Sequence, residues 1–251
     1  MKFIEKHKIM ILQQYGFLPK HSTVFALIDV IDSIRKIIET GEYALGVYLD
    51  LKKAFDTVDH EILLSKLDHY GFRGHSNKLI RSYLTGRSQF TFVNGKKSKI
   101  HYIETGVPQG SVLGPLFFIL YINDIIYCIN RGKMTLFADD TSLLLHHKKL
   151  NILKQQAENE IKNLYDWLIS NKLTLNWDKT YFVIFHTKKK RIENLHELKV
   201  NAKIIKRMDS VVYLGMDIDQ NLSWNNHVNK LCNKLSKNFH MFYNIRNLLP
   251  N

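Results

Sequence analysis

The stretch "KMTLFADDTSLLLHH" sets Asp139 and Asp140 side by side between two short apolar runs that read as β-strands. Adjacent like charges repel, and shielding them from water raises the cost further, so the pair needs compensation. One solution is a hairpin turn in which both acids stay wet, since Asp tolerates turn geometry. The other is a divalent cation held through carboxylate oxygen. On the pair alone the turn is the simpler reading. Either way two antiparallel neighbours joined by an acidic tip are required, and the rest of the chain has to pack around that hairpin.

The remaining pattern alternates helix and strand. "STVFALIDVIDSIRKIIETG" carries Val24, Leu27, Ile28, Ile31, Ile34 and Ile38 at helical spacing, with a Ser/Thr start and Gly41 as its stop. "ALGVYLDL" is a nearly continuous apolar strand that ends at Asp50. Asp59 caps a helix "HEILLSKLDHYG" closed by Gly71, and "SNKLIRSYLTG" is the next helix. Asn94-Gly95 joins two extended runs as a hairpin. "GVPQGSVLGP" breaks the chain before a helix expected to run to about Ile129. That helix is apolar, but Asn123 and Asp124 interrupt it short of a membrane span of about 20 residues, so it belongs in a core. Then follow a hairpin with the Asp pair at its tip, an amphipathic helix "LNILKQQAENEIKNLYDWLISNKL", a strand "TYFVIFH", short strands ending in "VVYLGMDID", and a basic helix to the end. The opening residues "MKFIEKHKIMILQQYGF" read as the middle of a helix without a cap.

Charge narrows the partner. The net charge of +13 is segregated: no acid lies between Asp68 and Glu104, and none follows Asp219, while both segments hold Lys and Arg. Such segregation suits a polyanion, nucleic acid first and an acidic membrane surface second. Cys128 and Cys232 are too few for a disulfide framework or a Cys-based zinc site and suggest a reducing compartment. If the Asp50 strand and the hairpin are neighbours in one antiparallel sheet with helices on one face, three carboxylates converge on one edge, where they can hold hard cations. Two such ions about 3.5–4 Å apart can activate a hydroxyl and stabilise a departing pyrophosphate.

In this order, "QYGFLPKHST" (14–23), "VYLDLKKAFDTVDH" (47–60), "GVPQGSVLGPLFFILYIND" (106–124), "FADD" (137–140), "NKLTLNWDKT" (171–180) and "YLG" (213–215) resemble the successive motifs of the reverse transcriptases of non-LTR (LINE-type) retrotransposons, with the jockey and chicken-repeat branches nearest in wording. The resemblance implies an α+β right-hand polymerase: partial fingers at 1–46, a palm at 47–219 with a fingers insertion at about 72–104, and the start of a thumb at 220–251. It implies RNA-directed DNA synthesis, with an RNA template, a DNA primer or target DNA and deoxynucleoside triphosphates as partners, no membrane, and an intracellular setting in nucleus or cytoplasm. Asp50, Asp139 and Asp140 match the family's ligands for two magnesium ions, or manganese in their place. Phe55 matches the aromatic that rejects a 2′-hydroxyl by clash. Pro108, Gln109 and Gly110 match the motif at the nascent base pair, Lys179 a position near the departing pyrophosphate, and Tyr213, Leu214 and Gly215 the primer grip.

Leu18 stands where the family usually has Arg, which leaves Lys20 as the substitute cation near the triphosphate. The preceding fingers motif, the endonuclease domain and a following Cys/His knuckle are not in the sequence, so a fragment or decayed copy of a longer frame is expected. A catalytically inactive or domesticated copy that only binds nucleic acid is the competing function. A viral RNA polymerase is disfavoured, because Phe55 would obstruct a ribose.

Overall fold

The computed structural model describes residues 1–190, 192 and 195–245. Its elements in chain order are α1 Lys2–Lys6, α2 Thr23–Glu39, β1 Tyr43–Leu49, α3 His60–His69, α4 His75–Leu84, β2 Arg87–Gln89, β3 Phe92–Val93, β4 Lys96–Lys97, β5 His101–Ile103, α5 Leu113–Tyr121, β6 Lys133–Phe137, β7 Asp140–His147, α6 Leu150–Ser170, β8 Tyr181–Phe185, β9 Glu197–Val200, β10 Lys203–Arg207, β11 Ser210–Tyr213, β12 Met216–Asp219 and α7 Asn225–Ile245. The α+β class is as expected. Ser22 caps α2 by accepting from Phe25 N, and Asp59 caps α3 by accepting from Ile62 N at 2.9 Å. Asn94 and Gly95, both at positive φ, make the turn between β3 and β4.

Six strands form one sheet in the order β6-β7-β1-β8-β10-β9. It is mixed rather than wholly antiparallel, because β10 pairs with β8 in parallel after the chain crosses over through β9. Helices on one face were expected, yet both faces are covered. Leu45, Val47 and Leu49 of β1 join Leu143, Leu145, Phe182 and Ile184 in a core closed by α3, α5 and α6. On the reverse, Ala44, Tyr48, Leu144, Val183 and Phe185 meet Leu27, Val30 and Ile34 of α2 and the β11–β12 hairpin. Burial on two sides is what the near-continuous apolar run of β1 calls for.

Two helices are shorter than the sequence suggests. α5 ends at Tyr121, not near Ile129, because Asn123 is spent on a neighbouring strand of chain: its Oδ1 accepts from Ile11 N (3.1 Å) and its Nδ2 donates to Ile9 O (2.8 Å). Asp124 beside it pairs with Lys66. The opening segment is helical only over α1, since residues beyond Ile9 are drawn out by Asn123 and by the edge of β6, where Tyr15 N donates to Leu136 O at 2.8 Å. Among the described residues no helix is long and apolar enough to cross a membrane. Arg246 and the residues after it, included in the expected basic helix, lie outside the described residues.

Candidate active site

The register of the sheet brings the acids together. Leu49 pairs with Thr141 in the last rung of the β1–β7 pairing, so Asp50, one step beyond it, and Asp140, one step before it, lie at the same end of the two strands. Asp139 is the second residue of the two-residue turn that joins Phe137 to Asp140. Asp50 is clamped from the loop after α6: Asn176 N donates to Asp50 O at 2.8 Å, and Asn176 Nδ2 to Asp50 Oδ2 at 2.7 Å. Burial, and then the charge of Asp50, hold the Asp139 carboxyl above the usual carboxylate range. Asp140 is raised by burial, then by Asp139 and Asp50.

Among the described residues, no ion pair includes Asp50, Asp139 or Asp140. Nor do any three or more His, Cys, Asp or Glu side chains among them stand as a closed ligand set. The three acids therefore share an edge without forming a cage, as expected of like charges that repel. Their chemistry fits a hard divalent cation all the same: oxygen donors only, Asp50 and Asp139 half-buried and Asp140 exposed, with no ion pair to a Lys or Arg among the described residues.

The second part of the site is the turn after β1. Lys53 sits at φ +47 and leads into a tight turn, Ala54–Asp56. Phe55 in that turn stacks on Phe118 (4.4 Å between centroids, 26°) and meets Phe17 edge-on. Its carbonyl accepts from Val107 N, and Val58 O accepts from Gly106 N. Gly106 has φ +88, and a Cβ there would stand 2.8 Å from Asp56 O, so only glycine allows this approach. The contact fastens the "PQG" segment to the Phe55 turn. Gln109 Nε2 donates to Asp56 Oδ1 at 2.7 Å, at the mouth of a trough of about 740 Å³ that Lys53, Arg87, Tyr102 and Pro108 also line. Gly110, at φ +78, follows.

Other expected site residues line other surfaces. Lys20 is exposed in a hollow with Tyr15, His21 and Asp29 and is not among the residues that line the trough. Leu18 packs against the main core and lines an apolar cavity with Ile4, Ile9, Met10 and Ile126, which accounts for an apolar side chain there. Lys179 is exposed at the end of the Trp177–Lys179 turn, three residues past the Asn176 clamp. Tyr213 is buried at 4% exposure beneath the sheet, where Ser142 Oγ donates to its hydroxyl; burial pushes that phenol up. Leu214 and Gly215, both at positive φ, form the tip of its hairpin. Asn176, Asp56 and Gln14 were not singled out from the sequence. All three lie inside or beside recognised motifs, and that adjacency was the available signal.

Two surfaces extend from the site. The ribbon β2–β5 exposes Phe90, Phe92 and Tyr102 among Arg87, Lys96, Lys97 and Lys99, with Lys97 Nζ 3.9 Å from the centre of the Phe90 ring. α7 exposes Val228, Leu231 and Leu235 among Lys230, Lys234 and Lys237.

Comparison with known proteins agrees with this geometry. The sequence signature of the family described as reverse transcriptase (RNA-dependent DNA polymerase) matches residues 1–218. Curated relatives include the RNA-directed DNA polymerase from mobile element jockey of Drosophila melanogaster, 28% identical over 225 residues, covering 87% of this chain and 24% of that protein. Another is the probable RNA-directed DNA polymerase from transposon BS of the same fly, 28% identical over 231 residues, covering 89% of this chain and 25% of the relative. The chain thus spans about a quarter of the length of these relatives. Among solved structures, apo telomerase from Candida tropicalis superposes with a TM-score of 0.57 at 13% identity, over 87% of this chain and 38% of that one. Telomerase from Candida albicans, in complex with a fragment of telomeric RNA, gives 0.55 at 14% identity, over 87% and 34%. With a family signature that runs over residues 1–218, from α1 into β12, the chain belongs to the reverse transcriptase (RNA-dependent DNA polymerase) family.

Proposed function

We propose that this chain is the polymerase core of a non-LTR retrotransposon and adds deoxynucleotides to a DNA 3′-hydroxyl on an RNA template. The observation that carries this reading is the set of Asp50, Asp139 and Asp140 on one edge, none in an ion pair among the described residues and two with raised carboxyls. These three would hold two divalent cations, magnesium or manganese, which when bound would neutralise charge on the attacking oxygen and the leaving pyrophosphate. Asn176 keeps Asp50 aimed at that edge. Phe55, stacked on Phe118 and tied through its carbonyl to Val107, is held rigid enough to exclude a ribose hydroxyl by volume. Pro108, Gln109 and Gly110 would border the new base pair, and Lys179, close in sequence to the Asn176 clamp, would meet the pyrophosphate. Lys20, exposed in the hollow lined by Tyr15 and Asp29, would supply a cation for the triphosphate in place of the Arg that Leu18 replaces.

Residues 1–46 and the insertion at about 72–104 serve as fingers, 47–219 as palm and the helix after Asp219 as the beginning of a thumb. The exposed aromatic and basic side chains of the ribbon β2–β5 suit single-stranded template, since bases stack on aromatics while Lys and Arg follow the backbone. Leu214 and Gly215 would touch the primer end, with Tyr213 supporting them from the core. The cell compartment follows from the reaction, namely nucleus or cytoplasm where template and target meet.

Primer extension on an RNA template with magnesium, comparing deoxynucleotides with ribonucleotides, tests the reading. Extension with deoxynucleotides that Asp139→Asn abolishes supports it. Template–primer binding without extension in any divalent metal would leave a nucleic-acid-binding copy instead.

A further inference from the structure

Gln14 is 1% exposed, and its side chain reaches the catalytic turn. Its Oε1 accepts from Gly16 N at 2.7 Å and from Ala138 N at 3.1 Å. Because both partners are backbone donors, the oxygen must face them, which fixes the amide's orientation and leaves buried Nε2 without a partner among the described residues. A buried donor left unpaired is costly, so this side chain is poor as mere filler. Methionine would fill the same space without that cost. Glutamate would supply the acceptor but place a further negative charge beside Asp139 and Asp140.

The other end of the contact explains what the amide oxygen does. Ala138 is the first residue of the two-residue turn between β6 and β7 and sits at φ +56, a conformation that glycine adopts freely and alanine does not. Asp139 follows it directly. The segment carrying Gln14 is itself laid along β6: Leu136 N donates to Gln13 O at 2.9 Å and Tyr15 N to Leu136 O at 2.8 Å. Gly16 completes the closure, since a Cβ there would come within 2.4 Å of Ala138 N. Thus the opening segment grips the strained peptide from outside the hairpin.

We propose that Gln14 is a positioning residue for the catalytic turn: its amide oxygen holds the Ala138 peptide in its left-handed conformation and so sets the direction of the Asp139 carboxylate. It touches no reacting atom. The proposal rests on the reading of Asp139 as a metal-binding acid.

Gln14→Met keeps length and volume but removes the acceptor. In steady-state extension with saturating primer–template it should lower kcat by roughly tenfold to a hundredfold, as small misplacements of a catalytic group do. KM for deoxynucleotide and affinity for primer–template should stay within about twofold, the effect being confined to the geometry of the turn. Mn²⁺ binding, followed by titration calorimetry, should weaken in the variant. Adding Ala138→Gly, which relieves the need for the brace, should recover part of the loss. Extension by Gln14→Met at the wild-type rate, or a loss that follows thermal stability and is untouched by Ala138→Gly, overturns the proposal. Should the wild-type chain extend no primer, the Mn²⁺ titration still decides: weaker binding in Gln14→Met sustains the brace while the polymerase reading falls, and equal binding overturns the brace. Should the variant fail to fold, NMR-detected hydrogen exchange on the wild type decides instead. Protection of the Ala138 amide matching the β6–β7 ladder supports the brace, and free exchange overturns it.

Discussion

The acidic end of the sheet and the ribbon β2–β5 are built by opposite rules. At the acidic end every segment is tied to another: Asn176 to Asp50, Gly106 to Val58, Val107 to Phe55, Tyr15 to Leu136. Along the ribbon most side chains are exposed, including Phe92 at 65% and Tyr102 at 78%, and the short strands pair only with one another. Chemistry on a fixed phosphorus needs carboxylates held to a fraction of an ångström, which cross-bracing by backbone hydrogen bonds supplies. On the function proposed above, a surface that slides along polymer of any sequence needs aromatic faces and cations open to solvent. The same chain therefore carries its stiffest and its most open structure side by side, with the trough between Gln109 and Tyr102 as their border.

The sharpest separation of the two regions is expected from the acids. Asp50→Asn or Asp139→Asn should reduce extension by on the order of a thousandfold or more, because metal-held geometry supplies several kcal/mol to the transition state. Affinity for primer–template, measured by fluorescence anisotropy, should barely move. Extension near the wild-type rate would undo the contrast at once.

Next in size is the converse experiment. Phe90→Ala combined with Phe92→Ala should weaken binding of single-stranded RNA by about 1–3 kcal/mol for each base that loses its stack, roughly fivefold to more than a hundredfold. kcat at saturating template should hold, and the melting temperature should not fall, since these rings cover no core. Unchanged RNA affinity would mean that the open ribbon serves something other than template.

A smaller effect tests the border. Asp56 accepts from Gln109 at the trough, in an exposed hydrogen bond worth about 1 kcal/mol, so Asp56→Ala should raise KM for deoxynucleotide by about fivefold. In a Gln109→Met background the same change should do nothing. Simple additivity of the two would show that Asp56 acts elsewhere.

The least effect is one of sign. Burial and mutual repulsion raise the Asp139 carboxyl in the folded state, so its ionised form at neutral pH weighs against folding, and more so as pH rises through the usual carboxylate range. Asp139→Asn should therefore raise the melting temperature at pH 7, by on the order of 2 °C, while it abolishes extension. The gain should shrink as pH is lowered and the native acid takes up its proton. A lower melting temperature would argue that Asp139 is a structural acid after all.

Legibility in the sequence followed the range of the interactions. The β6–β7 hairpin and its acids, the caps Ser22 and Asp59, and the Asn94-Gly95 turn depend on residues a few positions apart, and all were visible. So was the acid at the end of β1, because the apolar run before it is itself local. What escaped depends on distant partners. α5 stops at Tyr121 because Asn123 serves Ile9 and Ile11 from the other end of the chain; the sequence shows Asn123 and Asp124 breaking the apolar run but not the partners that end the helix there. The second covered face of the sheet comes from α2 and the β11–β12 hairpin, which lie on opposite sides of β1 in sequence.

The base of α7 has a mechanical consequence. Asp219 accepts from Asn221 N, Ser223 N, Ser223 Oγ and Trp224 N, and Asp217 of the same strand pairs with Lys230 inside the helix. The Asp219 bonds hold the residues that lead into the helix, and Lys230 ties its second turn to the same strand. With a rise of about 1.5 Å per residue, the helix from Asn225 to Ile245 is a rod of about 30 Å clamped at one end. Rotation of that clamp by about 10° swings the far end through about 5 Å, more than the rise of one helical base pair. Asp219 and Asp217 thus sit at a fulcrum: a change too small to see at the sheet is multiplied along the lever, and on the function proposed above the tightness of two carboxylates would set how closely the far end tracks a duplex as it advances.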